Sequence, residues 1–129
     1  MMALSGCSGL PETAKLNISI DPNPVSYSSE NERWSFDIIL NEVNGIGATL
    51  TRLKFESYSQ EDELIDTTIW DEEDYNEYWE TNYLAAFSSL QNGVYHTNPA
   101  IKYTILALEG ADDEGNPIEA MGRTDFLPK

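Results

Sequence analysis

The chain has one cysteine, Cys7, and one histidine, His96. A single cysteine excludes an intramolecular disulfide, and without a His/Cys cluster there is no spacing typical of a zinc site. The stretch around His96 (VYHTNP, 94–99) contains no nucleophile elbow, and activated nucleophiles usually need a neighbouring base. We therefore expect no enzymatic activity and interpret His96 as a surface or turn residue.

Positive charge is also scarce. The sequence has 7 Lys+Arg against 23 Asp+Glu, for a formal net charge of -16. Such a surface repels phosphate backbones and anionic membranes. No run approaches the roughly 18 apolar residues that cross a bilayer. We expect no nucleic-acid partner, and contact with a membrane only through a covalently attached lipid.

What the chain does contain is alternation of apolar and polar residues, which is typical of half-buried β-strands. The clearest example is 33–41, where Trp34, Phe36, Ile38 and Leu40 share one face. Asn44-Gly45 is the strongest turn signal. At 129 residues the chain has the size of one domain. Strands that alternate with turns and show no βαβ rhythm predict a mainly β, antiparallel two-sheet sandwich.

Other segments give further expectations. Pro22 and Pro24 suit an edge or a kink, and edge strands leave self-association possible. Residues 88–99 are expected to form a loop, or a loop with a brief strand. Further strands are expected near 16–20, 48–59, 64–70, 101–107 and 118–126. Two alternating sets complete the pattern: Leu53 and Phe55 inward, and Ile101, Tyr103, Ile105 and Ala107 on one face opposite Lys102, Thr104 and Leu106.

One segment has helical spacing instead. In 71–83 (DEEDYNEYWETNY), Tyr75, Tyr78, Trp79 and Tyr83 follow an i, i+3, i+4, i+8 pattern. Asp71 is a favourable N-cap, and acidic residues fill the first turn, where the helix dipole favours them. We expect one short helix near residues 72–80.

Three stretches carry a resemblance to a known fold: DPNPV (21–25), the pair RWSFDIIL (33–40) and NGIGATLTRLKF (44–55), and YTILALEGADDEGNPIEAMG (103–122). Together they resemble an immunoglobulin-like domain of the bacterial envelope type. The resemblance implies a spacer, adhesion or partner-binding role. The Cys–Trp–Cys spacing of antibody domains is absent.

The amino terminus resembles a second pattern. Leu4-Ser5-Gly6-Cys7 is similar to the lipobox of bacterial lipoprotein precursors, in which an apolar residue and two small residues precede the modified cysteine. The resemblance implies that Cys7 is lipidated and that the protein is anchored in the bacterial cell envelope, outside the cytoplasm. We interpret residues 1–14 as a signal remnant and tether, and residues 15–129 as the domain.

The candidate binding residues are aromatic: Trp70, Tyr75, Tyr78, Trp79 and Tyr83. Ten acidic residues lie between 61 and 80, and no Lys or Arg occurs from Phe55 to Ile101. Three interpretations remain open: a helix that packs its rings into the core, a docking face for a basic protein, or a platform for a glycan.

Asp112, Asp113 and Asn116 are hard oxygen donors and therefore weak candidates for Ca²⁺. The EF-hand spacing is not met, and the same residues suit a tight hairpin turn. The sequence thus predicts a non-enzymatic envelope lipoprotein that binds or spaces through protein contacts. A carbohydrate- or calcium-binding module is the alternative, and no cofactor other than Ca²⁺ is expected.

Overall fold

The computed structural model describes residues 13–129, which form nine β-strands and one short α-helix. Cys7 and the lipobox-like residues lie outside the described part. In chain order the elements are β1 (Leu16–Asp21), β2 (Tyr27–Ser28), β3 (Arg33–Glu42), β4 (Ala48–Ser59), β5 (Leu64–Trp70), α1 (Glu72–Trp79), β6 (Tyr83–Leu84), β7 (Ser89–His96), β8 (Ile101–Asp112) and β9 (Pro117–Asp125).

The strands form two sheets with antiparallel pairing. In the first sheet β3 is central, with β1 and β2 along one side and β7 along the other. The second sheet has the order β5-β4-β8-β9, and β6 pairs with β4 beyond the end of β5. The prediction of a mainly β, two-sheet antiparallel sandwich with one short helix is confirmed.

The core lies between the inner faces of the two sheets. The predicted inner face of β3 is confirmed, because Trp34, Phe36, Ile38 and Leu40 are all buried. Leucines of β4 and β8 pack against them from the second sheet. The apolar residues of β3 therefore alternate with polar ones because only one face of the strand packs against the second sheet.

On β8 the predicted face is wrong. Ile101 is buried, but further along the strand the buried residues are Thr104, Leu106 and Leu108. The pairing with β4 shifts register between Tyr58 and Ser59. Because side chains on a strand alternate with period two, one extra residue moves those that follow to the opposite face.

The segment predicted as a loop at 88–99 contains a full strand. β7 pairs with β3 from Asn41–Ser89 to Trp34–His96. Its composition, with Gly93 and the two amides Gln91 and Asn92, carries a weak strand signal. The partner β3 supplies the hydrogen-bond ladder that the local sequence does not predict.

The helix α1 begins and ends as its sequence predicts. Asp71 and Asp74 form a capping box, each side chain accepting a hydrogen bond from the backbone N–H of the other. Glu80 ends the helix in the left-handed conformation. The helix contacts β4, β5 and β7, so it spans the two sheets along one side of the sandwich.

Glu42, at the end of β3, is a buried acid with only 2% of its surface exposed. Its carboxylate accepts hydrogen bonds from the backbone N–H groups of Lys15, Asn44, Gly45, Ile46 and Phe87. Burial alone would raise the pKa of Glu42, but these backbone hydrogen bonds outweigh it and lower the pKa. Glu42 thus joins three separate loops at one end of the sandwich.

The two ends of the described chain lie at opposite ends of the sandwich. The Ala14 N–H donates to Asp112 Oδ2 at 3.0 Å, beside the β8–β9 turn. At the other end, Trp34 Nε1 donates to the carbonyl of Leu127 at 2.8 Å. Within residues 13–129, no helix has the length and apolarity needed to cross a membrane.

Candidate functional site

Four of the five predicted aromatic residues converge around Trp70, the last residue of β5. The ring of Tyr78 stacks on Trp70, with centroids 5.1 Å apart and planes at 25°. Tyr75 and Trp79 meet Trp70 edge-on at 6.3 and 6.1 Å. Helical spacing brings these rings together, because residues three and four apart share one face of α1.

Burial divides this cluster into two parts. Tyr75 is fully buried and Trp79 is 8% exposed. The Tyr75 hydroxyl donates to the carbonyl of Arg52 at 3.1 Å, and burial raises the pKa of Tyr75. Both rings belong to the core, as the interpretation of a helix that packs its rings into the core expects, and these two candidate binding residues are not available to a partner. Tyr78 is 53% exposed, and Trp70, under it, is partly buried.

Tyr83 lies apart from this cluster, at the β8–β9 turn. Its hydroxyl donates to Asp113 Oδ2 at 2.7 Å, and this hydrogen bond raises the pKa of Tyr83. The contact passes directly over Gly47, where a Cβ would overlap the Tyr83 hydroxyl oxygen. The aromatic surface beside α1 is therefore formed by Tyr78 and Trp70.

Two acidic residues of α1, Asp74 and Glu77, lie near Tyr78. Repulsion from the neighbouring carboxylate of Glu77, together with a hydrogen bond to it, raises the pKa of Tyr78. Within residues 13–129, the ion pairs lie on other elements, and none involves an acid of α1. This surface, which we call the acidic-aromatic face (Trp70 to Glu80), thus presents negative charge that no neighbouring lysine or arginine neutralises.

A cleft opens between the two sheets, next to the acidic-aromatic face. It has a volume of about 150 Å³, and β5 and β7 form its two rims. Phe36 of the first sheet and Phe55 and Trp70 of the second provide its aromatic walls. Trp70 is therefore shared by the cleft and the face.

Polar groups line the rest of the cleft. Ser57 Oγ and Thr104 Oγ1 are hydrogen-bonded to each other at 2.9 Å. Across the mouth, His96 Nε2 lies 3.4 Å from Asp66 Oδ2. His96 Nδ1 accepts the Asn98 N–H at 3.1 Å, which assigns the proton of the neutral imidazole to Nε2. Burial lowers the pKa of His96, although the Asp66 carboxylate acts in the opposite direction.

The residues predicted as weak Ca²⁺ ligands are engaged in the β8–β9 turn. The Asp112 carboxylate accepts the N–H groups of Ala14, Glu114 and Asn116. Burial would raise the pKa of Asp112, but these hydrogen bonds outweigh it and lower the pKa. Asp113 holds Tyr83. Among residues 13–129, no group of three or more His, Cys, Asp or Glu side chains is placed to hold a metal ion.

Sequence reasoning did not find the cleft. Asp66 and His96 are separated by 30 positions and come together only because β5 and β7 belong to different sheets whose edges face each other. The local signals were the β-branched and aromatic residues of 64–70 for β5 and the apolar Val94 for β7. No single-sequence pattern reports that two edges are adjacent.

No protein-family model matches the chain, and no curated protein matches it. Solved structures do resemble it. An X-ray structure of a Northeast Structural Genomics Consortium target has a TM-score of 0.55 at 12% identity, covering 92% of this chain and 90% of that one. The ApaA protein of Bordetella pertussis has a TM-score of 0.52 at 13% identity, covering 91% and 98%.

A third similar structure is the CARDB domain of the PF1109 protein from Pyrococcus furiosus, in complex with di-metal ions. Its TM-score is 0.50 at 12% identity, with coverage of 94% of this chain and 100% of that one. The CARDB domain has an immunoglobulin-like fold. At these identities the likeness concerns the fold alone, and it confirms the expected immunoglobulin-like sandwich.

Proposed function

We propose that this protein is a non-enzymatic binding module of the bacterial cell envelope, anchored by a lipid on Cys7, that docks a basic partner protein. The docking surface is the acidic-aromatic face of β5 and α1. Exposed aromatic side chains are frequent interface anchors, and a surrounding rim of one charge steers a partner of the opposite charge. Cations are also attracted to the faces of Tyr and Trp rings.

The observation that supports docking most directly is the exposed Tyr78 ring stacked on Trp70 among acids without ion-pair partners. A ring that only stabilised the core would be buried, as Tyr75 is. The capping box stabilises the first turn of α1, and the buried Tyr75 and Trp79 attach the helix to the sandwich, so little conformational entropy is lost when a partner binds.

Docking can be tested with hexalysine as the probe, by isothermal titration calorimetry at low and at physiological salt. The double variant Glu73→Gln/Glu77→Gln removes two charges from the acidic-aromatic face. Glu30→Gln/Glu119→Gln removes two charges elsewhere and is the matched control, because the net charge changes equally. We expect weaker binding for the first variant alone. Equal weakening in both would show general attraction to an acidic protein and would contradict a defined docking face.

Anchoring is supported by the lipobox-like residues and by the position of Ala14, which joins the sandwich at the end opposite Leu127. A tether at one end leaves the long sides of the sandwich free for a partner. In a bacterial host, with a lipoprotein leader supplied upstream, the protein should incorporate labelled fatty acid, and the Cys7→Ser variant should not. Equal labelling of both would contradict the anchor.

Carbohydrate binding is the second candidate, favoured by the same Tyr78–Trp70 stack, since aromatic rings can lie against sugar rings. It predicts that the protein is retained on an insoluble polysaccharide independently of salt and that Tyr78→Ala abolishes retention. Docking of a basic protein predicts release by salt, because screening weakens attraction between exposed charges.

A further inference from the structure

The cleft between the sheets is separate from the docking surface, although Trp70 contributes to both. Its volume of about 150 Å³ matches that of a cavity that takes up one benzene molecule. The cleft can therefore accept one side chain or one small ring. It is too small for a helix or for several sugar units.

The charge at the mouth of the cleft is negative. The Asp66 side chain is 48% exposed, and the imidazole Nε2 of His96 lies 3.4 Å from its Oδ2. Because burial lowers the pKa of His96, that imidazole is neutral at pH 7, and the Asp66 charge remains uncompensated. The titratable residues that line the cleft are Asp66, His96 and Tyr95. The Arg33 guanidinium lies 4.4 Å from the centre of the Tyr95 ring.

The polar groups deeper in the cleft do not suit a sugar. Ser57 and Thr104 bond to each other, and a buried hydroxyl pair that is already satisfied offers little to a ligand rich in hydroxyl groups. The aromatic walls suit aliphatic carbon instead. An arginine would also lack a free two-oxygen partner, because Asp66 Oδ2 already faces His96.

We propose that a lysine side chain of the basic partner lies along the cleft, entering beside Trp70, with its methylene groups between Phe36, Phe55 and Trp70 and its ammonium group at Asp66, further along the β5 rim. This inference rests on the proposed docking function and identifies one contact within it. Lysine combines a long apolar stem with a compact terminal charge, which matches aromatic walls at the Trp70 end of the cleft and a single carboxylate, Asp66, at the other end of the β5 rim. Protonation of His96 would place a second cation beside the ammonium group, so binding should weaken as the pH falls.

The test uses the full chain and a small probe, Nα-acetyl-lysine methylamide, with Nα-acetyl-norleucine methylamide as the neutral analogue, which keeps the four side-chain carbons and lacks the ammonium group. Binding is followed by NMR through the side-chain signals of Trp70 and His96. We expect a dissociation constant on the order of 1 mM for the lysine probe, which is typical of so small a ligand. We expect the norleucine analogue to bind at least about tenfold more weakly than the lysine probe.

Two variants locate the contact. Asp66→Asn keeps the size of the side chain and removes its charge. We expect this variant to bind the lysine probe about tenfold more weakly, or more weakly still. Glu63→Gln removes an acid of the same segment outside the cleft and should leave binding unchanged. The melting temperature of Asp66→Asn identifies any loss of folding. If Asp66→Asn is unfolded, the norleucine comparison and the pH dependence of the wild-type protein decide the question.

Three results would overturn the inference: equal affinity for lysine and norleucine probes, unchanged lysine affinity in a folded Asp66→Asn variant, or tighter binding of methyl glucoside than of the lysine probe. These outcomes are distinguishable from failure of the docking proposal. Hexalysine binding that depends on Glu73 and Glu77 but not on Asp66 would retain the docking face and reject the lysine cleft.

Discussion

The imidazole Nε2 of His96 lies 3.4 Å from Oδ2 of Asp66, and this contact joins the two sheets across their open edge. His96 ends β7 of the first sheet, and Asp66 lies in β5 of the second. The same pair forms the mouth of the cleft between the sheets. A change in its protonation therefore affects both the closure of the edge and the charge that a ligand meets.

Acidification should destabilise the protein through His96. The pKa of this residue is lowered from 6.5, so below pH 6.5 the unfolded chain binds a proton that the folded chain resists. The free energy of unfolding should therefore be highest above pH 6.5 and fall as the pH drops towards the folded pKa. Urea unfolding at about pH 7.5 and about pH 5.5 measures this loss. The His96→Gln variant should lose less, and an equal loss would contradict a buried, neutral imidazole.

Glu42 should be the most sensitive acid of the fold. Glu42→Gln places a side-chain N–H₂ among backbone N–H donors, and we expect a loss of about 2 kcal/mol in the free energy of unfolding. Because the pKa of Glu42 is lowered from 4.5, the stabilisation is present above pH 4.5 and is lost as the pH falls through the folded value. Glu30→Gln is the surface control. Equal melting temperatures for the two variants would contradict the role of Glu42 in holding three loops.

The two parts of the aromatic cluster should respond differently to truncation. Trp79→Ala empties a buried site and should cost about 3–5 kcal/mol. Tyr78→Ala removes an exposed ring and should cost about 1 kcal/mol or less. Denaturant unfolding of both variants checks this order, and equal losses would show that the Tyr78 ring is part of the core.

Calcium should leave the melting temperature unchanged. The Asp112 carboxylate already accepts three backbone N–H groups, and Asp113 accepts the Tyr83 hydroxyl. A ligand that binds the folded state raises the melting temperature, so thermal scans with Ca²⁺ and with a chelator give a direct comparison. A rise that is abolished by Asp113→Asn would restore the calcium-binding alternative.

The buried face of a strand was predictable where the alternation of its own residues is enough to define it. The alternation on β3 reports the core correctly because its register with both neighbours is uninterrupted. On β8 the facing depends on a bulge between Tyr58 and Ser59, and the sequence carries no local sign of it. The strand β7 forms because it is hydrogen-bonded to β3, which is distant in the sequence, so its own residues do not predict it.

The candidate site was predictable in part. The spacing of Tyr75, Tyr78 and Trp79 predicts a common side of one helix, and the structure has it. Spacing alone does not tell which rings the sandwich covers, because that depends on where α1 lies relative to β4 and β7. The pairing of Asp66 with His96 depends on two sheet edges meeting and could not be predicted from either segment.

The central claim, that a basic partner docks on the acidic-aromatic face, can be tested by NMR titration of the protein with hexalysine. The indole N–H signals of Trp70 and Trp79 report on the aromatic cluster, and that of Trp34 reports on another part of the sandwich. Trp34 Nε1 is bonded to Leu127 at the far end, whereas Trp70 lies beneath Tyr78. We expect the Trp70 signal to shift early in the titration and the Trp34 signal not to move. Unchanged signals, or a shift of Trp34 equal to that of Trp70, would contradict the claim.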